Sequence, residues 1–155
     1  MPNMEYLISD DLTKLDLDVI HKFLSEHSYW ARGIPREVVA RSIANSLCFG
    51  VYALGNANPD SDWRQVGFAR VTTDRATFAY LADVFILLEH RGRGLSKRLM
   101  EAVVAHPDLQ GLRRWMLATA DAHEFYRRFG FAELSQIDRF MQRHDPDVYT
   151  INGVG

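Results

Sequence analysis

Cysteine is nearly absent from this sequence, which contains one, Cys48, among 155 residues. A single cysteine excludes a disulfide framework within the chain and is typical of a reducing compartment. Residues 1–5 have neither a basic stretch nor an apolar segment of the kind that a secretory leader needs. We therefore expect a cytoplasmic protein in which Cys48 serves packing.

Long apolar runs and an excess of one charge are also missing. The longest apolar stretch is far shorter than the roughly 20 residues of a membrane helix, so no membrane partner is expected. The formal net charge of −2 gives no electrostatic reason to expect nucleic acid as a partner. With 47% hydrophobic and 25% charged residues, residues 1–155 fit one soluble domain with a sizeable core.

Metal-binding patterns are absent as well. The six histidines show no spacing, such as a pair four residues apart on a helix, that would bring two imidazoles to one ion. We predict no metal.

What the sequence does contain is a mixed order of helices and strands. Strands are predicted at 4–9, 47–54, 65–73, 78–88 and 115–119, and helices at about 16–24, 35–46, 95–105 and 122–128. The polar stretch 55–62 predicts a turn, so the three middle strands should form an antiparallel meander.

The chain after the last predicted helix is expected to continue as strand. Gly130 is a natural residue to follow that helix, and Phe131 should begin a strand. Residues 139–143 are a candidate for one more strand, and residues 145–155 resemble a weakly ordered tail.

The most informative segment joins the long predicted strand to the helix that begins near Leu95. It reads Arg91, Gly92, Arg93, Gly94, Leu95, Ser96. The first amides of a helix have no partner within the helix, and the helix dipole is positive at that end. Glycines there let the main chain approach an anion closely. The segment therefore predicts a binding site for a phosphate or pyrophosphate group.

A second motif makes the assignment far more specific. Residues 122–131 place Phe125 and Tyr126 near the end of a short helix, just before Gly130 and Phe131. Together the two motifs resemble the GNAT superfamily of N-acetyltransferases over about residues 4–144. That family's signature carries Gly or Ala where this chain has Ser96, a small residue that preserves close approach.

The resemblance implies an α/β (α+β) single-domain fold. Its central sheet would be mixed, mostly antiparallel and twisted, flanked by about four helices, with a cofactor cleft between two splayed strands. Acetyl-CoA would be the co-substrate, and residues 145–155 would form a tail outside the motif-bearing part.

The resemblance also implies site residues. The pyrophosphate would rest on the amides of residues 91–96, and the main chain of Val84, Phe85 and Ile86 would pair with the pantetheine arm. Thr119 stands where many members carry an asparagine that contacts the pantetheine. Tyr126 matches the tyrosine that hydrogen-bonds and protonates the departing sulfur.

Two further assignments keep alternatives open. Asp83 is an acid within an apolar strand, so it is either a base that accepts the amine proton or a structural carboxylate bonded to a neighbouring strand or an arginine. Tyr29 and Trp30 connect the first two helices, where they either contact the acceptor or pack between those helices.

The expected reaction is transfer of an acetyl group from acetyl-CoA to a primary amine by direct attack in a ternary complex. The acceptor would be an amine-bearing small molecule or a peptide or protein amine. The alternative is a non-catalytic acyl-CoA-binding sensor, which would need the glycine turn but not the tyrosine. Family members often dimerise, so a homodimer is a further expectation.

Overall fold

A computed structural model describes residues 4–55 and 62–150. Within these residues the chain forms five strands: β1 (Tyr6–Ser9), β2 (Leu47–Leu54), β3 (Trp63–Thr73), β4 (Phe78–Ile86) and β5 (Arg114–Leu117). It also forms four α-helices: α1 (Leu17–Lys22), α2 (Arg36–Ala44), α3 (Leu95–Ala105) and α4 (His123–Arg127). Short 3₁₀ turns occur at Leu12–Lys14, Leu88–His90, Pro107–Leu109 and Ile137–Arg139.

The strands form one mixed sheet in the order β1-β2-β3-β4-β5. The first four strands pair antiparallel, and β5 pairs parallel to β4. The predicted meander of β2, β3 and β4 is confirmed. The predicted turn at residues 55–62 lies mostly outside the described residues, but the amide of Gly55 donates to the carbonyl of Asp62 at 3.0 Å.

Each face of the sheet is covered by its own apolar core. Side chains of α3, including the fully buried Leu99 and Met100, pack on one face against β2, β3 and β4. On the other face, Ile20 and Leu24 of the first helical segment pack with Phe68 and Phe85. The one-sided apolar stripes of the helices explain why two layers of helix enclose the sheet.

The first helix begins where the sequence predicts. The Asp16 carboxylate caps it by accepting from the amides of Asp18 and Val19. After Lys22 the helix widens into a π-helical stretch, Phe23–His27, and the amide of Ser28 donates to the carbonyl of Phe23 at 3.0 Å. This widened turn leads directly into the loop that carries Tyr29 and Trp30.

Strand β5 pairs with only the first part of β4. Their pairing runs from Phe78 opposite Arg114 to Leu81 opposite Leu117 and stops there, although β4 continues to Ile86. At the point of separation β4 contains a bulge, because Phe68 pairs with Phe85 whereas Arg70 pairs with Ala82. The expected splayed-strand cleft is therefore present.

Strand β4 ends earlier than predicted. It stops at Ile86, and residues 87–91 turn through bonds from the His90 amide to the Leu87 carbonyl and from the Arg91 amide to the Leu88 carbonyl. Leu88 is 73% exposed, so the apolar run that suggested a longer strand ends in a side chain that is mostly in solvent.

The predicted strand from Phe131 is wrong. The Phe131 amide donates to the Tyr126 carbonyl and the Gly130 amide to the Arg127 carbonyl, which is the Schellman ending of α4. Gly130 has φ +89°, as its predicted role after the helix requires. The amide of Phe131 therefore bonds to the end of α4 and is not available to a neighbouring strand.

The last part of the chain also differs from expectation. Residues 139–143 are not a strand, because Ile137–Arg139 forms a 3₁₀ turn instead. Within the predicted tail, residues 145–150 form turns, and Tyr149 packs against the core beneath α1 and α2. In residues 4–55 and 62–150, no helix combines the length and apolar character needed to cross a bilayer.

Candidate active site

The turn between β4 and α3 presents a row of backbone donors. In the described structure, the amides of residues 92–97 have no hydrogen-bond acceptor within the protein. Three of these amides precede the helix, and three belong to its first turn, where helix geometry leaves them free. The arrangement can hold an anion at the positive end of α3.

Two glycines give this turn its shape. Gly92 has φ +77° and Gly94 has φ +75°, a left-handed conformation that most side chains resist. A Cβ built on either residue would project into open space, with no atom within 4 Å. The glycines are therefore needed for the left-handed backbone conformation, and they leave room in front of the amides. No neighbouring protein atom would clash with a larger side chain at either position.

The two arginines of the turn behave differently. Arg91 folds back, and its Nε donates to the carbonyl of Ile86 at 2.9 Å, so it fixes the end of β4. Arg93 is exposed beside the free amides. Arg91 is also exposed, but its guanidinium is bonded to the end of β4, whereas no such bond holds Arg93 among the described residues.

The opening between β4 and β5 is a cavity of about 330 Å³, which we call the β4–β5 cleft. Its walls come from β4, from the end of β5 and from the loop after α1. It is lined by Tyr29, Trp30, Tyr80, Leu81, Ala82, Asp83, Val84, Leu117, Ala118, Thr119, Ala120, Asp121, Ala122 and Tyr126.

Tyr126 lies on α4 with its side chain in this cleft. Burial, with a smaller contribution from nearby Tyr29, raises the pKa of Tyr126 to about 12. The phenol is consequently neutral at every physiological pH. It also borders a second cavity of about 390 Å³ between the outer edge of β5 and residues 131–137.

Asp83 lies at the β4 bulge with φ +57°, and its carboxylate has two partners. Its Oδ1 accepts from the Trp30 indole Nε1 at 2.8 Å, and its Oδ2 accepts from Nε of Arg70 on β3 at 2.8 Å. The side chain of Asp83 is 10% exposed and that of Arg70 is 19% exposed. The contacts match the structural alternative, a carboxylate bonded to an arginine of the neighbouring strand, while the role of base stays a prediction.

Tyr29 and Trp30 form one wall of the cleft and are held at both ends. The amide of Ala120, just beyond β5, donates to the Tyr29 hydroxyl at 2.8 Å. Trp30 is anchored by Asp83, and the two rings meet edge to face with centroids 5.0 Å apart. Tyr29 remains 60% and Trp30 42% exposed, so both rings keep free surface at the cleft.

The residues expected to contact pantetheine line or adjoin the cleft. Val84 packs toward the α3 core with Ile86, while Phe85 stacks on Phe23 across the opposite core, with ring centroids 4.0 Å apart. Val84 and Ile86 therefore lie on the sheet face opposite to Phe85. Thr119 accepts from the amide of Ala122 at 3.1 Å, so its hydroxyl shapes the turn into α4.

Cys48 does not line the β4–β5 cleft. Cys48 is buried among the core residues beneath α1 and α2, and burial raises the pKa of its thiol to about 12. Among residues 4–55 and 62–150 there is no group of three histidine, cysteine or acidic side chains arranged to hold a metal ion.

Sequence reasoning missed two side chains of the site. Arg70 neutralises Asp83, and Tyr80 lines the cleft. A signal for Arg70 exists, since it is the one base in the apolar stretch 66–71 of β3, and Asp83 is the one acid in β4. A signal for Tyr80 is the strand alternation that places it on the same face as Ala82.

Comparisons with known proteins agree with this geometry. A family model described as the acetyltransferase (GNAT) domain matches residues 60–133. A presumed acetyltransferase of Gibberella zeae is 34% identical over 149 residues, covering 86% of this chain and 83% of that protein. The chain therefore belongs to the GNAT family of acetyltransferases.

Solved structures extend the likeness. The crystal structure of a presumed GNAT acetyltransferase from Xanthomonas campestris pv. campestris is 51% identical, with a TM-score of 0.86, and covers 97% of this chain and 99% of that chain. A presumed acetyltransferase of Clostridium acetobutylicum, solved with acetyl-CoA, has a TM-score of 0.62 at 15% identity. It covers 92% of this chain and 96% of that chain. At that identity the second comparison shows the shared fold.

Proposed function

We propose that this protein transfers the acetyl group of acetyl-CoA to a primary amine by direct attack in a ternary complex. The observation that supports the proposal most strongly is that two potential binding surfaces adjoin each other. The unpaired amides of residues 92–97 and the unpaired edge of β4 beyond Leu81 adjoin each other through residues 87–91. Together they offer anion donors and a strand edge to one extended ligand that has a phosphorylated end and an amide-bearing arm.

The chain's own groups fit acetyl-CoA in distinct places. The amides of residues 92–97 would hold the pyrophosphate, and the exposed Arg93 is available for a further phosphate. The main chain of Val84, Phe85 and Ile86 would accompany the pantetheine arm, and Thr119 would border it. Acetyl-CoA supplies a thioester, whose carbonyl carbon is the electrophile. A backbone N–H of residues 84–86 is the candidate donor to the carbonyl oxygen as negative charge develops there.

In the reaction, the lone pair of the neutral amine forms a bond to the acetyl carbon as the carbon–sulfur bond breaks. The amine proton passes to water, and the sulfur leaves as a thiolate that Tyr126 stabilises by hydrogen bonding. The products are the acetylated amine and CoA, whose thiol recovers its proton from solvent.

The pKa of Tyr126 decides how far its proton moves. A phenol with a pKa of about 12 does not give its proton fully to a thiolate whose conjugate acid has a pKa of about 8.5. Tyr126 therefore acts mainly as a neutral hydrogen-bond donor to the sulfur rather than as a complete acid. This refines the expectation of protonation drawn from the family resemblance.

A covalent enzyme intermediate has little support. Of the residues lining the β4–β5 cleft, none is cysteine or serine. Cys48 is buried within a core, and its thiol is neutral at physiological pH because burial raises its pKa. Direct transfer is the simpler reaction.

We assign Asp83 to positioning rather than to proton transfer. Its ion pair with Arg70 links β3 to the β4 bulge, and its bond to the indole holds Trp30 against the cleft. Both carboxylate oxygens already accept hydrogen bonds, one from the indole and one from the guanidinium, so the carboxylate holds these two groups in place.

The test is thiol release from acetyl-CoA in the presence of amines, polyamines, amino acids, aminoglycosides and peptides, with the product identified by mass. The proposal predicts amine-dependent release of CoA and an acetylated product. Binding of acetyl-CoA without release from any acceptor would favour the alternative, a non-catalytic acyl-CoA sensor.

A further inference from the structure

The charges that line the β4–β5 cleft are of one sign. Among its lining residues, all of which belong to the described part of the chain, none is lysine, arginine or histidine. Two are carboxylates. Asp83 is neutralised by Arg70, so Asp121 supplies the remaining charge.

Asp121 lies in the turn between β5 and α4. It is exposed, and no basic side chain of residues 4–55 and 62–150 lies within ion-pair distance of it. The Thr119 hydroxyl accepts from the amides of Asp121 and Ala122 at 3.4 and 3.1 Å, so this turn is fixed beside the cleft. A carboxylate or phosphate on the acceptor would meet a negative charge here and no cation.

Aromatic rings form another part of the cleft wall. Tyr29 and Trp30 keep exposed surface, and their positions are set by the Ala120 amide and the Asp83 carboxylate. Tyr80 adds a third ring. Aromatic faces attract ammonium groups and pack well on methylene chains, and rings that are already fixed lose little freedom on binding.

The size of the cleft further limits which acceptors can bind. About 330 Å³ is near the lower end for ligand pockets, and the same space must admit the thioester end of acetyl-CoA. A slender acceptor that extends outward past Tyr29 and Asp121 fits better than a bulky one.

We infer that the acceptor is a slender alkyl amine with a second cationic group and no acidic group, of which an aliphatic diamine is the simplest example. This inference rests on the proposed function and specifies its acceptor. The attacking amine enters neutral, while the distal ammonium lies near Asp121 and the rings of Tyr29 and Trp30.

Three five-carbon acceptors test the inference, because they share the attacking amine and differ at the far end: cadaverine, pentylamine and 5-aminopentanoate. We expect kcat/KM to be highest for cadaverine and lowest for 5-aminopentanoate, differing by about tenfold or more at low salt. Rising ionic strength should reduce that difference.

The Asp121→Asn variant tests whether the Asp121 carboxylate causes the preference for cadaverine. The variant should lose most of the cadaverine advantage, so that its kcat/KM values for cadaverine and pentylamine differ by less than about threefold. Asp138→Asn is the matched control, since Asp138 is exposed and lies outside the cleft. It should leave the order of the three acceptors unchanged.

Contrary outcomes separate the two proposals. Equal rates for all three amines, or a preference for 5-aminopentanoate, would overturn the inference and leave acetyl transfer intact. So would silence with all three when another amine, such as a peptide, is acetylated. Failure to bind acetyl-CoA would instead remove the proposed function itself.

Discussion

Tyr126 combines two properties that a donor to a leaving sulfur needs. It stays protonated, because burial raises its pKa, and its side chain lines the β4–β5 cleft. Phe125 on α4 and Phe131 just after it pack against the Tyr126 ring, with centroids 5.1 and 6.0 Å from its own. The hydroxyl is thus carried on a rigid aromatic group.

Tyr126→Phe should lower kcat by about 10²–10³-fold and change acetyl-CoA affinity little, as expected when one positioned donor is lost. The measurement is steady-state thiol release together with a binding titration. Tyr52→Phe is a suitable control, because Tyr52 is another buried phenol but does not line the cleft. Unchanged turnover in Tyr126→Phe would remove the phenol from the mechanism.

Asp83→Asn tests positioning against base catalysis. Asparagine tolerates the positive φ of this position, so the backbone should persist, but the half-buried Arg70 loses its partner. We expect a loss of about 1–3 kcal/mol in the free energy of unfolding and a pH–rate profile of unchanged shape. Arg70→Gln should give a similar loss of stability.

The shape of the pH profile decides between these roles. Loss of an acidic limb in Asp83→Asn, with Arg70→Gln retaining it, would make Asp83 the base and contradict positioning.

At the level of residues, the sequence indicated which side chains would lie near the site but not which side chains they would contact. Tyr126, Tyr29, Trp30 and Asp83 all line one cleft, as their placement on the predicted elements suggested. The ion pair of Asp83 with Arg70 could not be located, since it depends on the register across β3 and β4 and on a bulge. Register is a property of the assembled sheet.

At the level of elements, the turn between β4 and α3 supplies the backbone donors on which the proposed function depends. Its two left-handed glycines open the backbone, and α3 supplies the amides of its first turn. Leu95 and Leu99 bury the opposite side of the helix in the core, so the donors are held by packing and not by the ligand.

Gly92→Ala and Gly94→Ala should each weaken acetyl-CoA binding by about tenfold or more, since a methyl group would occupy the open space before the amides. Gly111→Ala is the matched control, because Gly111 has φ +71° and equally open surroundings outside this turn. All three variants should lose about 1 kcal/mol of stability through left-handed strain. Equal affinity in all three would place the anion elsewhere.

Elements with strong local signals were predicted well, and those that depend on distant partners were not. Asp16 begins α1, and β2 spans Leu47–Leu54 as predicted, because capping and apolar patterning are local properties. The strand expected from Phe131 requires a neighbour to pair with. Its amide instead completes the ending of α4, and the sequence pattern cannot rank those two options.

At the scale of the whole molecule, burial of ionisable groups sets the response to alkali. The pKa values of Cys48, Tyr52 and Tyr126 are each raised to about 12, chiefly by burial. In the unfolded chain these groups ionise near about 8.5 for a thiol and about 10 for a phenol. Above those values the unfolded state binds fewer protons than the folded state, so stability falls as pH rises.

The free energy of unfolding should therefore hold near neutral pH and decline from about pH 8.5 toward about pH 12. Cys48→Ala removes the earliest part of this decline, so its stability should fall less than that of the wild type between about pH 8.5 and 10. Denaturant unfolding at several pH values measures both. Parallel curves for the two proteins would mean that the thiol ionises as readily in the fold as in the unfolded chain.

The fold class was predictable because two motifs and the alternation of elements agree over most of the chain. The mixed sheet, the splayed strands and the four helices follow that expectation. The acceptor could not be predicted from the motifs, since family members share a fold while the side chains around the cleft differ. It had to be inferred from the charge and aromatic character of the cleft walls.

The proposed function requires that the free amides of residues 92–97 and the open edge of β4 bind acetyl-CoA. Hydrogen exchange of the backbone, measured with and without saturating acetyl-CoA, tests it most directly. We expect slowed exchange concentrated in residues 84–97 and 117–122, with β1 and β2 unaffected. Saturation that leaves residues 92–97 exchanging at the unliganded rate would contradict it.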